Sequence, residues 1–212
     1  GFGRTGKWFS FQNFKFIPDV VTISKAFGGG DPIAAAFFNA TNPKFSGWDK
    51  AYKVGSDSST FQWNPHAVFN AIVMIKIMEK ECLVEGANKK GNHLRDIINS
   101  AIDEFKSYSS PTLKHPIYKF ICKGLGLHYG IEFQIFDPDK PGYIPDSVMR
   151  DAVLARLHAN GILTLSAGNP RVRPTIRFMP PLTISYEEID EFGLALKKSL
   201  HEAFLFIEKA FT

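Results

Sequence analysis

The sequence predicts an α/β fold, and three observations support this class. Short runs of β-branched and aromatic residues, typical of strands, occur at Val20–Ser24 and again at Gly126–Phe136. Apolar residues from Leu94 to Phe105 recur at the spacing of an amphipathic helix. Helix-capping residues precede further periodic segments, as at Asn64 and Ser185. Helices therefore alternate with strands along the 212 residues.

The first part of the chain combines short strands with one helix. The predicted strands are Val20–Ser24, Ile33–Phe38 and Ala51–Val54. Asn64 is a good N-cap and Pro65 suits a first helical turn, so a helix is predicted to begin there and to reach Glu81. Its predicted buried stripe is formed by Val68, Ile72, Ile75 and Met78.

The second part alternates helices and strands more regularly. After the helix over 94–105, Gly126–Phe136 alternates as a strand with Leu127, Tyr129, Ile131 and Phe133 on one face. A helix capped by Asp146 is ended by Asn160-Gly161, and a capping box at Ser185 and Glu188 opens the last helix. The two further predicted strands are Ile162–Leu165 and Thr175–Phe178.

Composition excludes several classes of function. The 25 basic and 21 acidic residues are interspersed and leave a net charge of only +4, so no nucleic-acid partner is predicted. No uninterrupted apolar run is long enough to span a bilayer, so no membrane association is predicted. Cys82 and Cys122 lack metal or redox spacing and are predicted to be reduced, buried thiols in a cytoplasmic protein. An organellar leader stays an open alternative, because the chain begins without methionine.

Lys25 is the candidate catalytic residue. It follows the strand-like run Val20–Ser24 and precedes Gly28-Gly29-Gly30, where the backbone has to turn sharply. We expect a buried strand to deliver this amine to the edge of a site, where partial desolvation favours the neutral nucleophile. The alternative is a solvated surface lysine next to an ordinary turn, which is the usual environment of a lysine. The chemistry predicted for the first case is Schiff-base formation with a carbonyl cofactor.

Four motifs occur in one order along the chain. They are Gly1-Phe2-Gly3-Arg4-Thr5-Gly6, then Pro18-Asp19-Val20-Val21 running to Lys25 and its glycines, then Ser59-Thr60-Phe61 followed by Asn64-Pro65, and lastly Ile176-Arg177-Phe178-Met179-Pro180-Pro181-Leu182. Together they resemble the class III aminotransferases of the ornithine, acetylornithine and 4-aminobutyrate type. Any one motif alone is weak, and their shared order carries the resemblance.

The resemblance implies a fold type I pyridoxal-phosphate-dependent transferase. Residues 1–85 correspond to the C-terminal part of the large cofactor-binding domain with a connecting helix, and residues 86–212 to the small C-terminal α/β domain. The carboxylate that pairs with the pyridine nitrogen in the family lies upstream of Gly1, so the chain is expected to be the C-terminal half of a subunit.

The resemblance also assigns residues and partners. Lys25 becomes the Schiff-base lysine of pyridoxal 5'-phosphate and the base that moves a proton on the substrate. Ser59 and Thr60 bind the cofactor phosphate, with Thr60 reaching across the interface of a homodimer. Arg177 grips the carboxylate of the substrate, although without the motif Arg171 and Arg173 compete with it for this role. The implied substrates are small amino donors, with a terminal amine favoured, and keto acids or aldehydes as acceptors.

Two other functions stay open. A decarboxylase, aminomutase or racemase of the same family reuses the same lysine and cofactor, and a catalytically silent homologue would serve as a dimerisation module. The sequence departs from the family where Gln62 and Trp63 replace small glycines and where Asp31 adds a negative charge after the glycine cluster. These departures bear on which substrate is used. His66, at the start of a helix, is predicted to pack or cap and not to catalyse.

Overall fold

The computed structural model describes residues 1–39, 41–45, 60, 62–106, 118–137 and 139–210. In chain order its regular elements are a 3₁₀ helix at Ser10–Asn13, β1 (Val20–Ile23), a 3₁₀ helix at Lys25–Gly28, β2 (Ala35–Phe38), a 3₁₀ helix at Pro43–Phe45, α1 (Pro65–Lys80), α2 (Leu83–Lys106), β3 (Tyr118–Leu125), β4 (His128–Phe136), β5 (Tyr143–Pro145), α3 (Ser147–Ala159), β6 (Leu165–Ala167), β7 (Thr175–Phe178) and α4 (Tyr186–Ala210). None of the helices so described is both long and apolar enough to cross a membrane.

The chain divides into two compact units. Unit 1 comprises residues 1–3 and 7–85, and unit 2 comprises residues 4–6 and 86–212. The short segment Arg4–Gly6 therefore packs with the second unit, although it lies near the start of the chain. The predicted strand Ala51–Val54 falls outside the described residues.

Unit 1 contains a two-stranded antiparallel sheet and helix α1. β1 and β2 pair in a register that sets Val20 opposite Phe38 and Ile23 opposite Ala35. α1 begins at Pro65, as predicted, because the Asn64 side chain accepts hydrogen bonds from the N–H groups of His66 and Ala67. It ends at Lys80, one residue before the predicted end.

Two predictions for unit 1 are wrong in detail. β1 is not a buried strand: only Ile23 is buried, because among the described residues β1 pairs with β2 alone. The predicted stripe of α1 is only partly correct: Met78 is buried as predicted and Val68 and Ile75 are half-buried, but Ile72 is exposed. Ala67 and Ala71, which were not predicted, are buried. The glycine turn after Lys25 approaches α1 closely: a Cβ at Gly29 would lie 3.3 Å from the backbone oxygen of Asn70.

Unit 2 is built on an antiparallel sheet. The strand order is β3-β4-β7-β6, and β5 pairs with the far end of β4. β4 is central, with Tyr118 of β3 opposite Ile135 and Phe178 of β7 opposite Tyr129. The predicted strand Thr175–Phe178 has the predicted bounds. The predicted strand Gly126–Phe136 begins two residues late, because Gly126 has a φ of +56° and forms the turn.

The core of unit 2 joins one face of this sheet to helices α2, α3 and α4. Alternation along β4 buries Tyr129, Ile131 and Phe133, as predicted. Both predicted helix starts are present: Asp146 accepts from the N–H groups of Val148 and Met149, and Ser185 forms a capping box with Glu188. Helices that contribute apolar stripes to one core include α2 with Leu94 and Ile98, and α4 with Leu196 and Leu200.

Sequence patterns missed part of unit 2. α2 starts at Leu83, eleven residues before the predicted periodic run. This first part of the helix was missed because Gly86, Asn88 and Gly91 have low helix propensity, and tertiary packing keeps them helical. β3 and β5 were not predicted; β3 carries lysines at an edge of the sheet and buries only Phe120.

Two further predictions need correction. The strand predicted at Ile162–Leu165 lies at Leu165–Ala167, because the Ile162 N–H donates to Leu157 and so belongs to the end of α3. Cys82 is exposed, not buried, since it lies in the turn between α1 and α2 with a φ of +50°. Cys122 is partly buried, and burial raises the pKa of its thiol to about 11 although the charge of Arg95 opposes the shift.

Candidate active site

Lys25 lies where β1 ends and the backbone turns. Ser24 is extended, Lys25 has a φ of +57°, and Gly29 and Gly30 follow with φ values of +60° and +114°. A lysine in the left-handed region is uncommon and costs conformational energy, which is typical of functional sites. The Lys25 side chain is exposed, and among the described residues no hydrogen bond or ion pair engages its amine. The expected desolvation of this amine is therefore not present in the structure.

The loop after Lys25 is fastened to the start of α1 by Asp31. The Asp31 carboxylate lies 2.9 Å from His66 Nδ1 and also accepts a hydrogen bond from the Asn70 side chain. The Asp31 N–H closes the preceding turn by donating to Gly28. The ring of His66 is thus exposed and paired with Asp31, and it does not pack as predicted. In the sequence Asp31 was recognisable only as an added charge; its structural role is to anchor the lysine loop.

The other predicted cofactor residues are only partly described. Thr60 lies in a turn with an exposed side chain, and Ser59 falls outside the described residues. Trp63 is 81 % exposed and has a φ of +60°, so a bulky residue occupies a conformation that glycine adopts more readily. This fits the departure from the family glycines at Gln62 and Trp63.

Arg177 lies on β7 in unit 2, on the face opposite the core. Alternation along the strand buries Ile176 and Phe178 and leaves Arg177 exposed. It faces Gly130 of β4 and Leu165 of β6 across the two ladders, and its carbonyl accepts a hydrogen bond from the Thr164 hydroxyl. Within the described part of the chain no carboxylate forms a salt bridge with its guanidinium, which leaves its paired N–H donors available to a ligand.

Arg177 lines a pocket of about 540 Å³ within unit 2. This volume is in the range of sites that hold small molecules. Polar groups come from Arg177, Arg4, Thr164 and Glu188, and the remaining wall is mostly apolar. Such a lining suits a ligand that has one anionic group and an aliphatic part. Arg4 belongs to a motif found in the sequence but was given no role there; its position between Gly3 and Thr5-Gly6 was the available signal.

Two arginines and one glutamate bring charged groups to this pocket. Burial lowers the pKa of the Arg4 guanidinium from its ordinary value, although arginine stays charged in proteins. At the start of β4, burial lowers the pKa of His128, and the positive charges of Arg177 and Arg4 lower it further. The lowered pKa favours the neutral form of the His128 ring. Arg171 and Arg173, the sequence competitors of Arg177, are exposed and do not line this pocket.

The chain matches the family described as Aminotransferase class-III over residues 1–200. It belongs to this family. The order of motifs from Gly1 to Leu182 is thus explained by shared descent. Class III aminotransferases are pyridoxal-phosphate-dependent enzymes of fold type I, and the mixed helix and sheet structure agrees with that fold.

Named relatives and solved structures that resemble this chain are transaminases. It is 30% identical over 202 residues to the LysW-aminoadipate semialdehyde/glutamate semialdehyde transaminase of Sulfolobus acidocaldarius, covering 94% of this chain and 43% of the relative. It is 31% identical over 192 residues to the acetylornithine aminotransferase of Caldanaerobacter subterraneus, covering 90% and 40% respectively. The chain thus spans about two fifths of the length of these relatives.

A solved transaminase from the marine bacterium Virgibacillus shares the fold. The TM-score is 0.80 at 23% sequence identity, with 98% of this chain and 44% of that chain covered. This likeness supports the fold alone.

The residues present fit a pyridoxal cofactor. A primary amine at the end of a strand, exposed and without a partner among the described residues, is the group that condenses with an aldehyde. The backbone beyond this amine turns through Gly29 and Gly30, and among the described residues no atom lies within 4 Å of a Cβ built at Gly30. The donor set is therefore suited to an aldehyde cofactor beside Lys25.

Proposed function

We propose that the protein catalyses transamination between an amino donor and a keto acid or aldehyde, with pyridoxal 5'-phosphate as cofactor. The observation that carries this proposal is Lys25, whose amine has no partner among the described residues and whose backbone is left-handed between β1 and a glycine turn. The favoured donors have a terminal amine. The names of the acetylornithine and aminoadipate semialdehyde relatives support this class of donor.

The role of Lys25 follows from its chemistry. Pyridoxal phosphate, when bound, supplies the electron sink that stabilises negative charge on the substrate carbon. Lys25 would hold the cofactor through its amine and, once released, would act as the base that takes and returns the proton at that carbon. The left-handed backbone and the anchor from Asp31 to α1 limit where this amine can lie.

Arg177 would bind the carboxylate of the substrate. Two parallel N–H donors of a guanidinium match a carboxylate in a fixed orientation, which a lysine ammonium does not reproduce. The support is its exposed guanidinium, which forms no salt bridge with any described residue and lines a pocket with an apolar wall. An aliphatic chain between the carboxylate and the amine would lie along that wall.

The functional assembly proposed is a cytoplasmic homodimer, with Ser59 and Thr60 binding the cofactor phosphate, Thr60 from the partner subunit. In this assignment residues 1–85 belong to a large cofactor domain and residues 86–212 to a small domain. Exposed apolar side chains in unit 1 are surface that an assembly would cover: Phe14, Phe16, Ile17 and Trp63.

Thr60→Ala should weaken retention of pyridoxal phosphate, measured by dialysis, and leave the thermal midpoint unchanged. Unchanged retention would remove Thr60 from the site.

The decisive experiment replaces Lys25 in the full protein. Lys25→Ala should abolish both the visible absorbance of bound cofactor and transamination of an ω-amino acid, whereas the exposed Lys15→Ala should retain both. Borohydride reduction followed by peptide mapping should place the cofactor on Lys25. Trapping of the cofactor on another lysine would overturn the assignment of Lys25. If the unsubstituted protein retains the cofactor but shows no turnover, the result would favour a catalytically silent homologue.

Arg177→Lys tests the carboxylate site separately. We expect the KM for carboxylate-bearing donors to rise on the order of tenfold, with little change for simple amines, because a lysine cannot form the paired contact. Arg171→Lys is the matched control, since Arg171 is exposed and lies outside the pocket. Equal impairment of both kinds of donor would make Arg177 a structural residue.

A further inference from the structure

The segment Arg4–Gly6 is built into unit 2 by its backbone. The carbonyl of Arg4 accepts a hydrogen bond of 2.8 Å from the N–H of Leu127, and Thr5 is buried. A Cβ at Gly126 would collide with the Arg4 carbonyl oxygen, and a Cβ at Gly6 would lie 2.7 Å from the Cβ of Asn88. The segment therefore has one fixed position beside the turn between β3 and β4.

The guanidinium of Arg4 forms a hydrogen bond to the chain just beyond the end of the β4–β7 ladder. The ladder between β4 and β7 ends at the pair Tyr129 and Phe178. Beyond it Pro180 and Pro181 have no N–H to donate, so the ladder cannot continue through them. Arg4 Nη1 instead donates to the carbonyl of Pro180 over 2.6 Å. This half-buried, charge-assisted contact joins the end of β7 to the β3–β4 turn.

Two backbone carbonyls of the segment that carries Arg177 are held by hydrogen bonds from other parts of unit 2. Its own carbonyl accepts from the Thr164 hydroxyl, and Pro180, three residues later, accepts from Arg4. Arg4 and Arg177 line the same pocket.

We propose that Arg4 is a positioning residue: by holding the Pro180 carbonyl, it fixes the end of β7 and so sets where the Arg177 guanidinium meets a substrate carboxylate. This inference rests on the proposed role of Arg177. It assigns to the Gly3-Arg4-Thr5-Gly6 motif a function in substrate specificity, although the motif lies more than 170 residues before Arg177 in the sequence.

The test compares two substitutions of Arg4 in the full protein loaded with pyridoxal phosphate. Arg4→Met keeps the unbranched apolar stem but removes the guanidinium donor, and Arg4→Lys restores a cationic donor. The carboxylate-bearing donor is γ-aminobutyrate, and the unreactive carboxylate is glutarate. For Arg4→Met we expect the KM for the first and the inhibition constant for the second to rise on the order of tenfold, because small misplacements of a binding group are costly. The kcat and KM for n-butylamine should change less than about twofold by the same reasoning, and Arg4→Lys should recover part of the loss.

Two controls separate positioning from other effects. Arg171→Met removes the same charge from an exposed loop and should leave both donors unaffected. In a double-mutant cycle, Arg4→Met added to Arg177→Lys should cost much less than it does alone, because residues that act through one contact are not additive.

The outcomes distinguish this inference from the proposed function. If Arg177→Lys discriminates between the donors and Arg4→Met does not, or if the two substitutions are additive, the positioning role is refuted while the proposed function stands. Equal loss for both donors with a lowered thermal midpoint in Arg4→Met would also refute it, since that result indicates a purely structural arginine. If Arg177→Lys itself has no effect on carboxylate donors, the carboxylate site of the proposed function fails first.

Discussion

Gly126→Ala is the most informative perturbation of the structure. Gly126 forms the turn before β4 with a φ of +56°, and an added Cβ would overlap the carbonyl of Arg4 and approach the backbone of Thr5. The substitution therefore combines backbone strain with loss of a close contact between two parts of unit 2. It also threatens the hydrogen bond from the Leu127 N–H to Arg4.

The expected magnitude follows from these two effects. An alanine held in the left-handed region costs about 1–2 kcal/mol relative to a relaxed backbone. Leaving the buried Leu127 N–H without its acceptor costs about 1–3 kcal/mol more. The free energy of unfolding should thus fall by roughly 2–5 kcal/mol, the sum of the two costs.

The assay is urea unfolding followed by circular dichroism, with two matched glycine substitutions. Gly142 has a φ of +84° and no described atom within 4 Å of its built Cβ, so Gly142→Ala isolates the cost of strain. Gly91 is helical, and alanine there would gain about 1 kcal/mol from helix propensity alone. A Cβ at Gly91 would nevertheless overlap the backbone of Gly126, so Gly91→Ala should destabilise the protein.

The comparison can contradict the reasoning in two ways. Equal losses of stability for Gly126→Ala and Gly142→Ala would mean that the contact with Arg4 contributes nothing beyond strain. A stabilised Gly91→Ala would mean that α2 and the β3–β4 turn are not in close contact.

Two further predictions concern pH. Burial tends to raise the pKa of Glu132, but hydrogen bonds from Lys123 and Gln134 outweigh burial, and the pKa of Glu132 in the folded protein is lowered. The ionised Glu132 therefore stabilises the fold above pH 4.5, and this stabilisation is lost as the pH falls through the pKa of the folded state. Lys123→Met should lower the free energy of unfolding by about 1 kcal/mol at neutral pH, because the half-exposed lysine shares this acceptor with Gln134, and the difference should vanish in acid. Burial raises the pKa of Asp146, although hydrogen bonds from the N–H groups of Met149 and Val148 oppose the shift. The contribution of Asp146 to the free energy of unfolding is therefore greatest below pH 3.8 and declines as the pH rises through the pKa of the folded state. Asp146→Asn keeps a capping side chain and should flatten that decline in a pH series of urea midpoints; an unchanged slope would assign it to other groups.

Local patterns predicted the elements whose causes are local. The Asn64, Asp146 and Ser185 caps each accept hydrogen bonds from the first turn of their helix, and such a contact spans only three residues. β7 was predicted with its bounds, because the two prolines after Met179 end it. The start of α2 was missed for the opposite reason: Gly91 lowers helix propensity locally and is needed only because Gly126 lies against it.

The candidate site shows the same division. Lys25 and Arg177 were identified from motifs, and their side-chain chemistry follows from residue type. Their environments did not follow: Lys25 is exposed on a left-handed turn, and its loop is anchored by the pairing of Asp31 with His66. No periodicity relates positions 31 and 66, so this contact was not predictable from pattern.

The sequence by itself determined the fold class, the helix caps and the β7 strand; the caps and the end of β7 depend on neighbours within a few residues. The order of four motifs along the chain led to the proposal of Lys25 and Arg177 as the residues that carry the chemistry. Only the tertiary structure decided that Arg4 holds the carbonyl of Pro180, 176 positions away. Contacts of that kind arise when the sheet and helices of unit 2 bring distant backbone together, and the glycines that permit such an approach appear in the sequence only as turns or as weak helix formers.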